Sequence, residues 1–516
     1  MQRNYITLLL AGSLLFSSCS KDFLDLLPEG SIPPDNFFEN TEQFNQALTG
    51  AYVPLRDISN IAFFMDEMRS DNTHYDYNAQ DRGGLGYEQL ADFMDDAGNA
   101  VINTRYAAAF NGISRTNVIL DRLETIEFDM ADADRRKISG EAKALRAHYY
   151  FDLVRHYGPV PLHLHETVNN TDAFRPRSTL DSIYNQIIAD LTDAVSLLEP
   201  PASFPSYGHM NKGSASTELA LVYMTRQQFD LAVPLLESLG TMGYDLWPEY
   251  RDAFNPANES NGMNRESIFE VGYRSGTDGQ QSNFVYRFLP ITVDLNTVIG
   301  FSYNNINGGW NTPTSDLLAA YEPSDKRLAA SVNILEGRIR GGDTGWMPDK
   351  VITDIREYAA PTGTTPKFFV SKYYFPPYTA PGYNTDQNWP VFRYAGALLW
   401  LAEAYNESGR SGDALAPLNK VRQRAGLDPV DLADPAGLRE IIANEQRLEL
   451  AFENYRWLDL VRTGKAEQVM NAHGQELKQQ YSYLLPGSYT VTPQKLIYAI
   501  PLREVTINGL QQNDGY

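Results

Sequence analysis

Two segments far apart in the chain share one pattern of small and large apolar residues. In the first, Leu219, Ala220 and Tyr223 are followed by Ala232 and Leu236; in the second, Leu401, Ala402 and Tyr405 are followed by Ala414 and Leu418. The offsets are 0, 1, 4, 13 and 17 in both. Residues four apart share one face of a helix, so each segment reads as two helices meeting along an apolar seam. Alanine lets the two backbones approach closely, and leucine and tyrosine fill the remaining space. Such a hairpin cannot bury its apolar face alone, so this signature predicts a fold made by stacking helices.

The spacing is that of a tetratricopeptide helix pair, with two unrelated amphipathic hairpins as the alternative reading. Helical periodicity extends well beyond the repeats. Phe44, Leu48 and Tyr52 recur every four residues from Thr41 onward, and further helices are predicted over 97–123, 135–157 and 179–198. The helix over 135–157 runs into Gly158-Pro159, a stop signal. From 255 to about 390 periodicity fails, and Gly, Asn, Pro, Tyr and Trp accumulate. That is too long for an ordinary loop, so it reads as an irregular subdomain with a few short strands, one over 267–273. The fold class expected is mainly α: a tetratricopeptide-like helical-repeat scaffold carrying an irregular, loop-rich binding subdomain.

The N-terminus starts Met1-Gln2-Arg3-Asn4, continues with an uncharged apolar run, and reaches Phe16-Ser17-Ser18-Cys19. A short basic head, about a dozen apolar residues and small residues before a cut site make a secretory signal. The run falls short of the ~20 apolar residues a bilayer span needs. Cys19 is the sole cysteine of 516 residues and stands where bacterial lipoproteins carry their acylated cysteine. The expected organisation is a lipoprotein signal peptide over 1–18, a lipidated tether over 19–34 and one domain over 35–516, anchored to a membrane through lipid on Cys19. An ordinary cleaved signal with an incidental cysteine is the alternative. With one cysteine there is no intrachain disulfide, so stability has to come from the core.

Removing the signal removes Arg3 and leaves 42 basic against 65 acidic residues, a net charge of −23. Such a surface repels polyanions, so nucleic acid is not an expected partner.

Catalytic and metal-binding patterns are not evident. His163 and His165 flank Leu164 without a third ligand at metal spacing, and His148 and His156 sit two turns apart on one helix. Glu445, Glu449 and Glu453 repeat every four residues, but Arg456 continues the series, which reads as a salt-bridged helix face. Asp92, Asp95 and Asp96 lack the spacing of a calcium loop. No phosphate loop, nucleophile elbow or zinc motif appears. Neither a cofactor nor a metal is therefore expected, and the chain reads as a binder rather than an enzyme.

The run from Glu141-Ala142-Lys143-Ala144-Leu145-Arg146-Ala147-His148-Tyr149-Tyr150 to Tyr157-Gly158-Pro159-Val160-Pro161 resembles the signature helix of the SusD/RagB-like outer-membrane nutrient-binding lipoproteins of Bacteroidetes. Three further stretches agree: Arg393-Tyr394-Ala395 through Leu427, Asn444-Glu445-Gln446-Arg447 through Arg462, and Ile500-Pro501-Leu502-Arg503 through the terminal Tyr516. Two departures are Gly396, where the family usually has an acid, and Tyr106, where tryptophan is more typical. A glycine within a helix costs about 1 kcal/mol relative to alanine, so local loosening is expected at Gly396.

The resemblance implies a lipid-anchored protein on the outer face of the outer membrane. Its partner would be a SusC-like TonB-dependent transporter, over which it sits as a lid. The implied cargo is an oligosaccharide or polysaccharide, with a peptide as the alternative ligand and a secreted glycoside hydrolase as a more distant reading. Sugar capture needs flat aromatic faces and planar polar groups. Trp310, preceded by Gly308 and Gly309, is the leading candidate platform, with Tyr286 and Tyr303 beside it. The polar segment with Asp71, Asn72, Tyr75, Tyr77 and Arg82 is the second candidate, Asp71 and Arg82 bonding hydroxyls and the tyrosines forming a small platform. For Asp71 a helix or turn cap is an equally good reading. The aromatic cluster around Tyr373, Tyr374 and Trp389 reads as packing.

Overall fold

The computed structural model describes residues 37–78, 84–204, 208–261, 264–340, 345–431 and 434–516. The expected signal peptide, the expected tether with Cys19, and Arg82 lie outside the described residues. The fold is mainly α, with 51% helix and 9% strand, as the repeat pattern predicts.

The first helices are α1 (Thr41–Tyr52), α2 (Pro54–Met65) and the short α3 (Leu85–Ala91). The long helices α4 (Ala100–Glu124), α5 (Asp132–Tyr157) and α6 (Leu180–Leu197) follow. The first repeat forms α7 (Lys212–Thr225) and α8 (Phe229–Thr241); the second forms α9 (Tyr394–Glu407) and α10 (Ser411–Ala425). The chain then adds α11 (Pro435–Glu449), α12 (Arg456–Arg462) and α13 (Ala466–Gln480). Some of their starts carry side-chain caps: Asn40 accepts from the Gln43 N–H, Asn99 from Val101 and Thr179 from Ser182. Asn211 and Ser214 bond reciprocally as a capping box on α7. The stop at Gly158 is real, with φ +69° directly after α5.

Each helix packs on its sequence neighbour from α4 to α8; α8 packs on α9, and α9 on α10 and α11. The repeat positions are the seam of this stack. Ala220, Ala232, Ala402, Ala414 and Leu418 are fully buried, and Leu219, Leu236, Leu401 and Tyr405 nearly so. Gly396 does not loosen α9. A Cβ there would lie 3.2 Å from the Trp400 ring and 3.3 Å from a Leu450 methyl, so the glycine permits a close approach.

The irregular region contains more strand than its composition predicts. β4 (Val332–Ile339) is the centre of a three-stranded antiparallel sheet between β5 (Trp346–Ile352) and β6 (Thr365–Val370). The expected strand near 267 is β2 (Ser267–Val271), paired antiparallel with β7 (Trp389–Arg393), which leads directly into α9. A third pairing joins β1 (Thr73–His74) to β3 (Thr312–Pro313). Tyr373, Tyr374 and Trp389 are buried, consistent with packing.

The glutamate series is salt-bridged as expected, but it is buried and does not lie on one helix face. α11 ends at Glu449, the chain turns, and Glu445, Glu449 and Glu453 are all buried. Arg393 reaches Glu453 at 2.6 Å and Glu449 at 3.1 Å, Lys372 reaches Glu453 at 2.6 Å, and Arg424 bridges Glu449 and Glu266. Arg327 adds Glu445 at 2.6 Å. Burial would raise the Glu449 carboxyl, but the charges of Arg424, Arg393 and Arg327 hold it at about 2. This network ties the helical stack to the irregular region. Its cations come from residues far away in sequence, which periodicity cannot reveal.

Candidate functional site

The β1–β3 ladder joins the two segments that chemistry singled out in the sequence. Thr73 faces Pro313 and His74 faces Thr312, and the Asp76 N–H donates to the Gly309 carbonyl at 2.7 Å. The extended run alternates its side chains. Beyond it, Tyr75, Asp76, Tyr77 and Gly309 line a groove of about 330 Å³ closed by Lys367 and Phe368 of β6 and by Tyr481 and Tyr483.

Its aromatic surface is a ladder of rings. Tyr77 stacks on Tyr483 with centroids 3.9 Å apart and planes within 6°. Tyr483 neighbours Tyr481 at 5.3 Å and Tyr75 at 5.9 Å, and Tyr75 neighbours Trp310 at 6.1 Å. Tyr77, Tyr481, Tyr483 and Trp310 are half-buried, which leaves ring surface for a ligand. His74 anchors the ladder from below. Its Nε2 lies 2.8 Å from the Tyr483 hydroxyl and its Nδ1 3.1 Å from that of Tyr489. Burial lowers its pKa to about 3, so the ring is neutral, with one nitrogen donating and the other accepting. Polar chemistry in the groove comes from Asp76 and Lys367, paired at 2.5 Å, with the lysine ammonium 5.0 Å from the Trp346 ring centroid. A flat aromatic wall beside a carboxylate and an ammonium offers C–H stacking together with hydrogen-bond acceptors and donors.

The sequence candidates divide between this surface and its support. Tyr77 is on the groove. Tyr75 lines it too but is 5% exposed, with its hydroxyl given to Asp92 at 2.9 Å. Trp310 does not project from its two glycines; it is boxed by Phe64 and Tyr87, both at 5.3 Å, and by Gly84, where a Cβ would fall 2.4 Å from the indole. Tyr303 is half-buried beside Tyr286 at 5.5 Å. Tyr286 itself is 0% exposed, so it is a buttress under Tyr303 and Tyr383 rather than a platform. Asp71 and Asn72 are corrected in the same way. Asp71 is 4% exposed and held by Arg456 at 2.7 Å and Arg447 at 3.0 Å. Burial pushes its carboxyl up, but Arg456, through hydrogen bonds and charge, and Arg447 behind it bring it to about 2. Asn72 is fully buried between Glu67 and Arg447. Neither has capacity left for a sugar hydroxyl.

Sequence reasoning missed Tyr481, Tyr483 and Lys367. The signal was present for the tyrosines: Tyr481-Ser482-Tyr483 repeats the alternation of Tyr75 and Tyr77, directly after α13 ends at Gln480. For Lys367, a lone lysine on a strand, no signal exists.

Two family models match the chain, one described as the SusD family over residues 265–516 and one as starch-binding associating with outer membrane over residues 22–224. The chain belongs to the SusD/RagB-like family. Relatives of the SusD-like chain include SusD-like protein P38 of Formosa agariphila, 28% identical over 490 residues, with 90% of this chain and 92% of the relative covered. A solved laminarin binding SusD-like protein is 26% identical with a TM-score of 0.72, covering 93% of this chain and 100% of its own. A SusD homolog from Bacteroides thetaiotaomicron, 20% identical over 95% of this chain and 100% of its own, shares the fold with a TM-score of 0.74. SusD-like family members are non-catalytic, and membership sets this chain with them rather than with glycoside hydrolases. Among the described residues no helix is long and apolar enough to cross a membrane.

Proposed function

We propose that this SusD-like protein captures a glycan at the cell surface without turning it over, holding it on the Tyr77–Tyr483 ladder. The observation that carries this reading is the half-exposed ring stack beside the Asp76–Lys367 pair. Stacked rings suit the C–H faces of sugars, and the paired charges suit hydroxyl groups. The laminarin-binding relative supports a β-glucan or similar neutral polysaccharide as ligand. Trp310 backs the same surface through Tyr75, with ring centroids 6.1 Å apart. Further parts of the proposal are lipid attachment at Cys19, residence on the outer face of the outer membrane, and delivery of the glycan to a SusC-like TonB-dependent transporter.

The test is affinity gel electrophoresis of the purified protein through laminarin and a panel of neutral and charged polysaccharides, with a reducing-end assay on the same glycans. Retardation by a neutral glycan, lost in Tyr483→Ala and unaccompanied by new reducing ends, is the expected result. No retardation by any glycan would overturn the reading in favour of a peptide ligand, and released reducing ends would overturn its non-catalytic part.

A further inference from the structure

Arg287 is a cation without a counter-charge. Lys and Arg total 43 against 65 Asp and Glu, so carboxylates are plentiful in this chain. Every other described arginine that is buried or half-buried gives its guanidinium to a carboxylate, an amide or a backbone carbonyl. Arg287 is half-buried, yet no hydrogen bond or ion pair reaches its guanidinium among the described residues. Its Nε is sealed from solvent, whereas Nη1 and Nη2 are not. A partly desolvated charge is costly without a partner, and here the open edge is the edge that could receive one.

The residue is held from several sides. It lies on the short helix Phe284–Phe288, and its carbonyl accepts the Trp310 N–H at 3.0 Å. The guanidinium carbon sits 5.6 Å from the ring centroid of Phe64, 5.8 Å from that of Tyr87 and 6.0 Å from that of Tyr383. Aromatic faces offset part of the charge but accept none of the in-plane N–H bonds. Tyr383 is presented from left-handed backbone, φ +58°, and Tyr303 stands next to it at 6.0 Å. Tyr87, Tyr303 and Tyr383 are all half-buried, so ring surface remains around the cation. None of these residues lines the Tyr77–Tyr483 groove. Trp310 neighbours both places, with Tyr75 at 6.1 Å and Tyr87 at 5.3 Å.

We propose that Arg287 and its rings form a second sugar site, for a residue carrying an acidic group, separate from the groove and independent of that reading. A carboxylate or a sulfate ester presents paired oxygens that match the guanidinium fork. The C–H face of the same sugar suits the half-exposed tyrosines. Lys367 does not serve this purpose, because Asp76 already compensates it.

The probes are laminaritriose, its form oxidised to the carboxylate at C6, and its 6-sulfate, which share one backbone and differ only at C6. Each is titrated calorimetrically into the purified Tyr483→Ala protein, where the groove is disabled, and into Tyr483→Ala/Arg287→Met. At least one acidic trimer is expected to bind Tyr483→Ala, to weaken as salt is raised, and to lose at least tenfold in affinity when Arg287 is replaced. The tighter of the two identifies the acidic group as carboxylate or sulfate. Replacing Arg287 by methionine strands no carboxylate, so the variant keeps the fold, and Arg287→Met alone should bind neutral laminaritriose as the wild type does. Failure of both acidic trimers to bind Tyr483→Ala, full affinity in the double variant, or equal binding of the neutral trimer to Tyr483→Ala would each overturn the proposal. Loss of neutral laminaritriose in Arg287→Met would overturn the separateness of the two sites.

Discussion

Tyr77 and Tyr483 approach from opposite ends of the chain and stack face to face, centroids 3.9 Å apart. Tyr77 is placed by the β1–β3 ladder, and Tyr483 by the turn after α13 and by its hydrogen bond to His74. Neither ring can shift alone without giving up the other's contact. The platform is therefore built before any ligand arrives, which reduces the ordering cost of binding.

Removal of one ring of this pair should be felt directly. Tyr483→Ala is expected to weaken laminarin binding at least tenfold, about 1.4 kcal/mol, in calorimetric titration. Tyr483→Phe keeps the ring and loses only the hydroxyl, so most of the affinity should survive. Tyr286→Phe, on a ring with no exposed surface, should leave binding within twofold. If the phenylalanine variant at Tyr483 falls as far as the alanine one, stacking is not the source of affinity.

The Asp76–Lys367 pair sets the charge preference of the groove. With both partners in place the ammonium is compensated at 2.5 Å, which favours neutral sugars. Asp76→Asn leaves the cation uncompensated, and uronate polymers such as alginate should then be retained more strongly while laminarin changes little. Gel retardation on matched alginate and laminarin gels reads this out; unchanged migration on alginate would argue against the pair as a determinant.

The buried network predicts a stability effect remote from the ligand. Glu453→Gln leaves Lys372 and one edge of Arg393 without their carboxylate in a dry site. Breaking a buried pair in this way typically costs about 3–5 kcal/mol. The denaturant midpoint should drop accordingly, and Lys372→Met in the same background should recover part of the loss. A cost under about 1 kcal/mol would mean that water reaches the network.

The helical scaffold was legible because its information is local. The alanines and leucines at offsets 0, 1, 13 and 17 are buried at the seams, and Gly158-Pro159 ends α5. Binding surfaces are not local in this sense. Asp71 looked like a free acceptor until Arg447 and Arg456, far along the chain, proved to occupy it. Tyr286 looked like a platform until Tyr303 and Tyr383 covered it. The same ladder that buried those residues brought Tyr77 to Tyr483, and no spacing in the sequence encodes that meeting. Gly396 gives the converse case, a local propensity cost outweighed by packing against Trp400 and Leu450.

His74 links the platform to pH. In the unfolded chain a histidine takes up its proton near pH 6.5, whereas burial in the native fold lowers this to about 3. Between those two values the unfolded state binds more protons, so stability falls as pH drops below about 6.5 and the loss is complete only near the native pKa. At pH 4.5 the difference amounts to roughly 2–3 kcal/mol, taking about 1.36 kcal/mol per unit. His74→Gln retains one donor and one acceptor for Tyr483 and Tyr489 but has no proton to gain. Urea midpoints at pH 7 and pH 4.5 should therefore separate for the wild type by that amount more than for the variant. Because the imidazole stays neutral above pH 5, laminarin affinity should be flat from pH 5 to 8 in both proteins. Equal acid sensitivity of the two proteins would show that the histidine is protonated in the native state, and that the ladder rests on something other than its neutral ring.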